Sequence, residues 1–340
     1  MNKNNTAYIA AVVQASPIYL DLDATINKAV DLIAQAARQG AKIIAFSELF
    51  FPGYPWFLWL GTMDYMTPFI RRYHEQSMII NSLEYQRIQQ AAKDNHIFIS
   101  FGLSELDAAS LYIAQVLISD KGETVYTRRK LKPTCMERVL FGEGDGSSLV
   151  VSPTALGNIG SLCCGEHLQP LSKYALYAQN EQLHIAAWPA FSLSGGEGSH
   201  ILSGEVNIAV SQVYAVEGQC YVLVPCATVS RAAVALFCFD NNMKKTLSTG
   251  GGYARIFGPD GKLLVTPLQT DEEGILYAQL DLSSITMGKF IYDPAGHYSR
   301  PDVTRLLLDP NKKEVVIKST DLPDNNVILQ NDSGIEMSDK

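Results

Sequence analysis

Three short segments of this sequence carry reactive side chains at places where a folded chain can use them. Glu48 stands two residues beyond an apolar run, 42–46, and opens an aromatic stretch that runs through Phe50, Phe51, Tyr54 and Trp56 to Trp59. A carboxylate at the C-terminal end of a buried strand sits where α/β proteins place their sites, and apolar surroundings would suit it to proton transfer. A surface carboxylate that merely ends a strand has the same signature. Cys163 and Cys164 close a second apolar run, ahead of Gly165-Glu166-His167 and a helical stretch that starts near Leu168. A thiol just before a helix N-terminus feels a positive field that favours thiolate. An ordinary cysteine is only roughly 3% thiolate at neutral pH, so it needs a base or a cation nearby. We read the pair as one packing thiol, Cys163, and one reactive thiol, Cys164; two inert buried thiols are the plain alternative. The third segment is Arg128-Arg129-Lys130-Leu131-Lys132, followed by Glu137. Such a cluster usually means a solvated face or phosphate contact. Lys130, however, ends a hairpin strand whose mate is apolar, so it can point inward, lower a thiol's pKa and stabilise a developing negative charge. Glu137 would then orient or balance it.

Other chemistries fare poorly. His74, His96, His167, His184, His200 and His297 are scattered, with no H-E-x-x-H and no paired spacing, so no metal site is expected. Gly142-Glu143-Gly144-Asp145-Gly146 lacks the G-K-[ST] end of a phosphate loop and the placing of a dinucleotide fingerprint. Ser152 and Ser194 lie in no G-x-S-x-G turn. A redox pair of Cys163 and Cys164 is disfavoured because adjacent cysteines form strained disulfides.

The elements that must position these residues follow from periodicity. The run 7–14 reads as a buried strand, 23–39 as an amphipathic helix capped by Gly40, and 42–46 as a second buried strand, a βαβ-like start that points to an α/β protein. Helices are expected near 67–76 and 83–95. Strands follow at 97–101, 111–119 and 123–129, the last two joined through Asp120-Lys121-Gly122 as a hairpin. A strand at 159–164, a helix at 168–179, a strand at 183–187, a helix at 206–217 and a strand at 221–225 come next. Pro259-Asp260-Gly261-Lys262 marks a turn between two further strands.

Composition bounds the rest. The chain of 340 residues is 47% hydrophobic and 18% charged, enough to bury a sizeable core without disulfides or metals. With 27 Lys and Arg against 35 Asp and Glu, the net charge of -8 argues against nucleic acid as a partner. No run is long and apolar enough to span a bilayer, and the polar start does not read as a secretory signal; no membrane association and a cytoplasmic location are expected. The six cysteines show no C-x-x-C pair and are expected as free thiols. One domain over 1–308 is the simplest organisation. Residues 309–340 hold no aromatic residue and are expected to form a flexible tail.

Taken together, the three segments resemble the nitrilase superfamily, whose catalytic set is Glu, Lys and Cys in that chain order. Residues 40–55, ending Gly53-Tyr54-Pro55, are similar to its glutamate motif, 129–138 to its lysine motif and 160–173 to its cysteine motif. Gly296-His297-Tyr298-Ser299-Arg300-Pro301-Asp302 resembles the nitrilases of the superfamily more than its amidases. The resemblance covers roughly 7–308. The runs 169–175, 186–189 and 213–220 are similar to the bacterial arylacetonitrilases. Two positions depart from the pattern: Gly165 follows the cysteine where Trp or Ala is usual, and Phe51 replaces an aliphatic residue. The resemblance implies a four-layer α-β-β-α sandwich and hydrolysis of an organic nitrile, an arylacetonitrile for preference, to a carboxylic acid and ammonia with no cofactor. It implies Cys164 as nucleophile, Glu48 as general base, Lys130 as electrostatic stabiliser, Glu137 as a positioning group and the Gly165 N–H as an oxyanion donor. Tyr54, Trp59, His167, Trp188 and Pro189 are the expected substrate pocket. Rival expectations are cyanide or a small aliphatic nitrile as substrate, an amide, or a non-catalytic assembly protein, since similar chains form homo-oligomers, dimers that extend into spirals.

Overall fold

The computed structural model describes residues 7–194, 199–314 and 316. The strand β1 (Ala7–Ala15), helix α1 (Leu22–Arg38) and strand β2 (Ala41–Ala45) form the expected βαβ start. After α2 (Met63–Glu75) and α3 (Leu83–Asn95) come β3 (Phe98–Asp107), β4 (Ser110–Ile118) and β5 (Thr124–Arg129). β1, β2 and β3 run parallel, and β4 and β5 continue the sheet antiparallel. The second half opens with β6 (Val151–Thr154), β7 (Gly157–Cys163), α4 (Pro170–Tyr177), β8 (Leu183–Ala187), α5 (Gly204–Gly218), β9 (Tyr221–Val224) and β10 (Cys226–Ala227). It closes with α6 (Arg231–Phe237), α7 (Asn241–Thr246), β11 (Arg255–Phe257), β12 (Gly274–Asp281) and α8 (Ile285–Ile291).

Two sheets result. One has the order β10-β1-β2-β3-β4-β5, with β12 also antiparallel to β1; the other has the order β11-β9-β8-β7-β6. Alternation along β1 shows how they are layered. Ala11 and Val13 pack with Ile26 and Ile33 of α1 and Ile88 of α3, whereas Ala10 and Val12 pack with Leu162 of β7, Ile185 of β8 and Leu223 of β9. The second sheet is backed in turn by Leu176 of α4 and Tyr214 and Ala215 of α5. This is the four-layer α-β-β-α sandwich that was expected.

Expected and observed elements agree closely where local pattern is strong, down to the bounds of α3 and β8. The two strands expected around 259–262 are one strand, β11, and a single bridge from Phe257 to Leu263. No helix among the described residues is long and apolar enough to cross a membrane. The expected tail lies outside the described residues except at 309–314 and 316, where the Lys313 N–H donates to Asp145 at 2.8 Å.

The topology fixes the site. β2 and β5 point the same way in their sheet, and β7 and β8 are parallel in the other. Glu48 and Lys130 follow the C-terminal ends of β2 and β5, and Cys164 follows that of β7. Gly102 of β3 allows the glutamate segment in, because a Cβ there would lie 2.6 Å from both Leu49 N and Ser47 O and 2.8 Å from Glu48 Cα.

Candidate active site

Glu48 is fully buried, so the carboxylate is no surface strand end. Its Oε1 accepts from Lys130 Nζ at 2.8 Å, and the same ammonium donates to Glu137 Oε2 at 2.7 Å. Glu137 also accepts from the Tyr54 hydroxyl at 2.9 Å and from the Thr134 N–H at 2.6 Å, which caps the short 3-10 turn Cys135–Val139. Every acceptor oxygen of this trio is thus engaged except one: Glu48 Oε2 is buried without a partner. Donor atoms of Glu48, Glu137 and Cys164 lie within 4.8 Å of one another. The Lys130 ammonium already bridges the two carboxylates, so the donor set does not ask for a metal ion, and a proton is what the free oxygen can take.

Electrostatics follow from burial. Burial lifts Glu48 to about 8, with Lys130 opposing the rise and Glu137 adding to it. Burial works against the Lys130 ammonium, but Glu137 and Glu48 hold its pKa well above the usual value. Burial and the Glu48 charge push the Cys164 thiol well up, against the pull of Lys130 and of the Gly165 N–H. Cys164 therefore rests as a thiol, and any reaction at its sulfur needs a group that takes the proton. The field of the turn start, which favours thiolate, is outweighed here by burial.

Cys164 opens a short 3-10 turn, Cys164–Leu168, with a left-handed φ of 47°. One residue, Glu166, ties this turn to the lysine segment. Its Oε1 accepts from Arg128 Nη2 at 2.6 Å and from the Leu131 N–H at 2.8 Å, while Oε2 accepts from the Cys163 N–H at 2.8 Å. Burial opposes ionisation of Glu166, yet Arg128 and these N–H groups hold its pKa below the usual value. The side chain of Cys163 is buried against Gln115 and Arg128, a packing thiol as expected. Glu166 and Arg128 had gone unassigned; only their place beside Cys164 and Lys130 marked them.

Cys164 opens onto a cavity of about 210 Å³, more than the roughly 150 Å³ that admits benzene in an apolar core. Tyr54, Trp56, Trp59, Pro189 and Phe191 give it aromatic and apolar walls, and Cys164, Gly165, Thr134 and Glu137 give it a polar side. Among the expected pocket residues, Tyr54, Trp59 and Pro189 line the cavity. Trp188 and His167 do not: the Trp188 indole donates to Ser211 at 2.9 Å, and His167 stacks on that indole with both ring nitrogens engaged elsewhere. Trp56, whose indole donates to Tyr19 at 3.1 Å, takes a place on the wall. Phe51 packs against Phe50 and Phe101 in the core, away from the cavity.

Comparison with known proteins gives a consistent answer. Residues 9–289 match the carbon-nitrogen hydrolase family. The chain is 55% identical to a nitrilase of Pseudomonas syringae pv. syringae (strain B728a), over 92% of this chain and 93% of that one. It is 47% identical to an arylacetone-specific nitrilase of Alcaligenes faecalis, over 90% and 85% of the two chains. An aliphatic nitrilase of Rhodococcus rhodochrous is also 47% identical, over 88% and 78%. In fold, the carbon-nitrogen hydrolase from Helicobacter pylori G27 superposes with a TM-score of 0.68 at 16% identity, covering 88% of this chain and 97% of that one.

Proposed function

The chain belongs to the carbon-nitrogen hydrolase family and is a nitrile-hydrolysing enzyme, and we propose that it acts through Cys164 as nucleophile with Glu48, Lys130 and Glu137 around it. The observation that carries this reading is the one unpartnered carboxylate oxygen of the trio, Glu48 Oε2, on a side chain that lies with Glu137 within 4.8 Å of Cys164. The thiol proton passes to Glu48 as sulfur bonds to the nitrile carbon, and the nitrile nitrogen takes up a proton to give a thioimidate. Glu48 then removes a proton from water, which adds to the same carbon. Ammonia leaves with the proton that Glu48 returns, and a second water releases the carboxylic acid and restores the thiol. Lys130 and the Gly165 N–H stabilise the negative charge that develops at each addition. Glu137 holds Lys130 in place.

The aromatic walls of the cavity support an arylacetonitrile as substrate, in keeping with the arylacetone-specific relative. The equally similar aliphatic nitrilase supports a second reading, a short aliphatic nitrile in the same site. We place the hydrolase domain at 1–308 and propose that it works as a homo-oligomer, since Leu171 of α4 and Val213 and Val216 of α5 leave large apolar side chains exposed. Six unpaired cysteines fit a reducing, cytoplasmic setting.

Ammonia release from phenylacetonitrile, mandelonitrile, benzonitrile, propionitrile, cyanide and phenylacetamide, beside a Cys164→Ala control, tests the reading. Release from the arylacetonitriles that is abolished in the control is expected. Release from propionitrile alone would favour the aliphatic reading, and release that survives the substitution would remove Cys164 from the mechanism.

A further inference from the structure

We propose that Glu181, His184 and His167 form a one-way relay of hydrogen bonds that ends on the Cys164 carbonyl and holds the Cys164–Gly165 peptide in its working orientation. The inference rests on Cys164 being the nucleophile. None of the three side chains lines the cavity, so they act through Cys164 as positioning residues.

The direction of the relay is set at the end that has no choice. A carbonyl oxygen only accepts, so His167 Nδ1 donates to Cys164 O at 2.8 Å. The neutral ring then offers a lone pair at Nε2, and His184 Nε2 must donate to it across 3.0 Å. That leaves His184 Nδ1 as an acceptor 2.7 Å from Glu181 Oε1, so the carboxyl must carry the proton between them. Glu181 Oε2 accepts from the Tyr214 hydroxyl at 2.6 Å. Burial favours the same assignment, since it pushes both imidazoles well down and Glu181 up to about 8. Packing fixes the rings: His184 stacks on Tyr214 with centroids 3.7 Å apart, and His167 on Trp188 at 5.0 Å. Gly160 makes room for the carboxyl, because a Cβ there would lie 2.2 Å from Glu181 Oε1.

The peptide at the end of this chain needs holding. Cys164 has φ 47°, a left-handed conformation that costs a side-chain-bearing residue free energy and persists only when its surroundings impose it. The next N–H, that of Gly165, favours charge on the Cys164 sulfur. A hydrogen bond donated to a peptide carbonyl also strengthens the N–H of that peptide as a donor. The relay thus fixes the turn and sharpens its oxyanion donor at once.

Two substitutions at Glu181 and one spectrum test this. Glu181→Gln keeps the polarity, because its amide N–H donates to His184 and its oxygen accepts from Tyr214. Glu181→Met keeps the bulk but neither bond. At metal centres, loss of a partner that orients a ligating side chain costs about ten- to a hundredfold in affinity or activity, which sets the scale here. We expect Glu181→Met to lower kcat by that factor with KM unchanged, and Glu181→Gln to restore it. In ¹⁵N spectra of the histidines, His167 should carry its proton on Nδ1 and His184 on Nε2, in the wild type and in Glu181→Gln alike. A wild-type His167 protonated on Nε2, or equal kcat in the two variants, overturns the relay. Should Glu181→Met not fold, the wild-type spectrum and the kcat of Glu181→Gln decide alone, a lowered kcat counting against it. The tautomer is read without substrate, so it stands apart from the Cys164→Ala result, which tests the nucleophile itself.

Discussion

Two buried polar clusters meet at the Cys164 turn, and they are built on opposite rules. The Glu48–Lys130–Glu137 cluster puts a cation between two carboxylates and leaves Glu48 Oε2 unpaired. In the Glu181–His184–His167 cluster every side-chain nitrogen and oxygen has a partner, and the chain of bonds is satisfied with no net charge. A buried polar atom without a partner costs about 1–3 kcal/mol, so one retained beside the Cys164 thiol fits the proposed role of Glu48 as proton acceptor. A cluster with nothing left over can only hold its neighbours still. Chemistry and positioning are thus told apart by what remains unsatisfied.

The largest effect that sharpens this contrast is expected at Lys130. Lys130→Met removes the cation and strands two carboxyl groups that lie within 3 Å of its ammonium. Breaking a buried ion pair from one side costs about 3–5 kcal/mol. With the charge stabilisation gone as well, kcat should fall by roughly a thousandfold or more, beyond the loss at Glu181→Met. Denaturant unfolding and single-substrate kinetics on both variants check the order. A smaller activity loss in Lys130→Met than in Glu181→Met would collapse the distinction between the clusters.

A second effect is the pH at which each cluster works. Glu48 accepts a proton only when ionised, and burial raises it to about 8, so kcat/KM should climb with pH toward that value. Cys164, also raised, pushes in the same direction, and Lys130 stays charged throughout. Stability should move the other way. Glu48 and Glu181 bind protons more tightly folded than unfolded, so their contribution is full below the ordinary carboxyl range and is lost as pH rises through about 8. Thermal unfolding across pH 5 to 9 should show the fall, shallower in Glu181→Gln because that variant has no proton to lose there. An unchanged slope in the variant would mean Glu181 is ionised in the folded protein.

The same contrast explains what could be read from the chain alone. Strong local patterns delivered β1, α1, α3 and the β4–β5 hairpin, and the distinctive segments around Glu48, Lys130 and Cys164 delivered side chains that the fold brings together. The strand β12 was missed because it has meaning only beside β1, at the other end of the sequence. Glu181, between Asn180 and Gln182, looks like part of a solvated turn, and His184 like a lone polar residue in an apolar strand. Only the sheet register, which sets His184 against Gly160 of β7, brings Glu181, Gly160 and His167 together. His167 itself was expected on the pocket wall, within the cysteine motif and three residues after Cys164. Its short 3-10 turn points it into the core instead.

The smallest effect concerns Gly165, where the two clusters touch: its N–H faces the Cys164 sulfur and its peptide carries the carbonyl that accepts from His167. A Cβ at this position would lie 2.9 Å from Thr134 Oγ1, so Gly165→Ala forces Thr134 to give way slightly. The Thr134 N–H is one of the donors that hold Glu137 against Lys130. Product choice is the sensitive readout. The tetrahedral species either expels ammonia, which needs its amino group next to a proton donor, or expels thiolate and leaves as an amide. Space beside Gly165 lets the amino group swing away from Glu48, so the wild type should release measurable amide with the acid. The added methyl of Gly165→Ala narrows that space and should lower the amide fraction a few-fold, with little change in stability. Chromatographic separation of the products at complete turnover decides it. Acid alone from the wild type, or the same ratio from both proteins, would mean that proton delivery is fixed by the Glu48–Lys130 cluster and not by the room left at the turn.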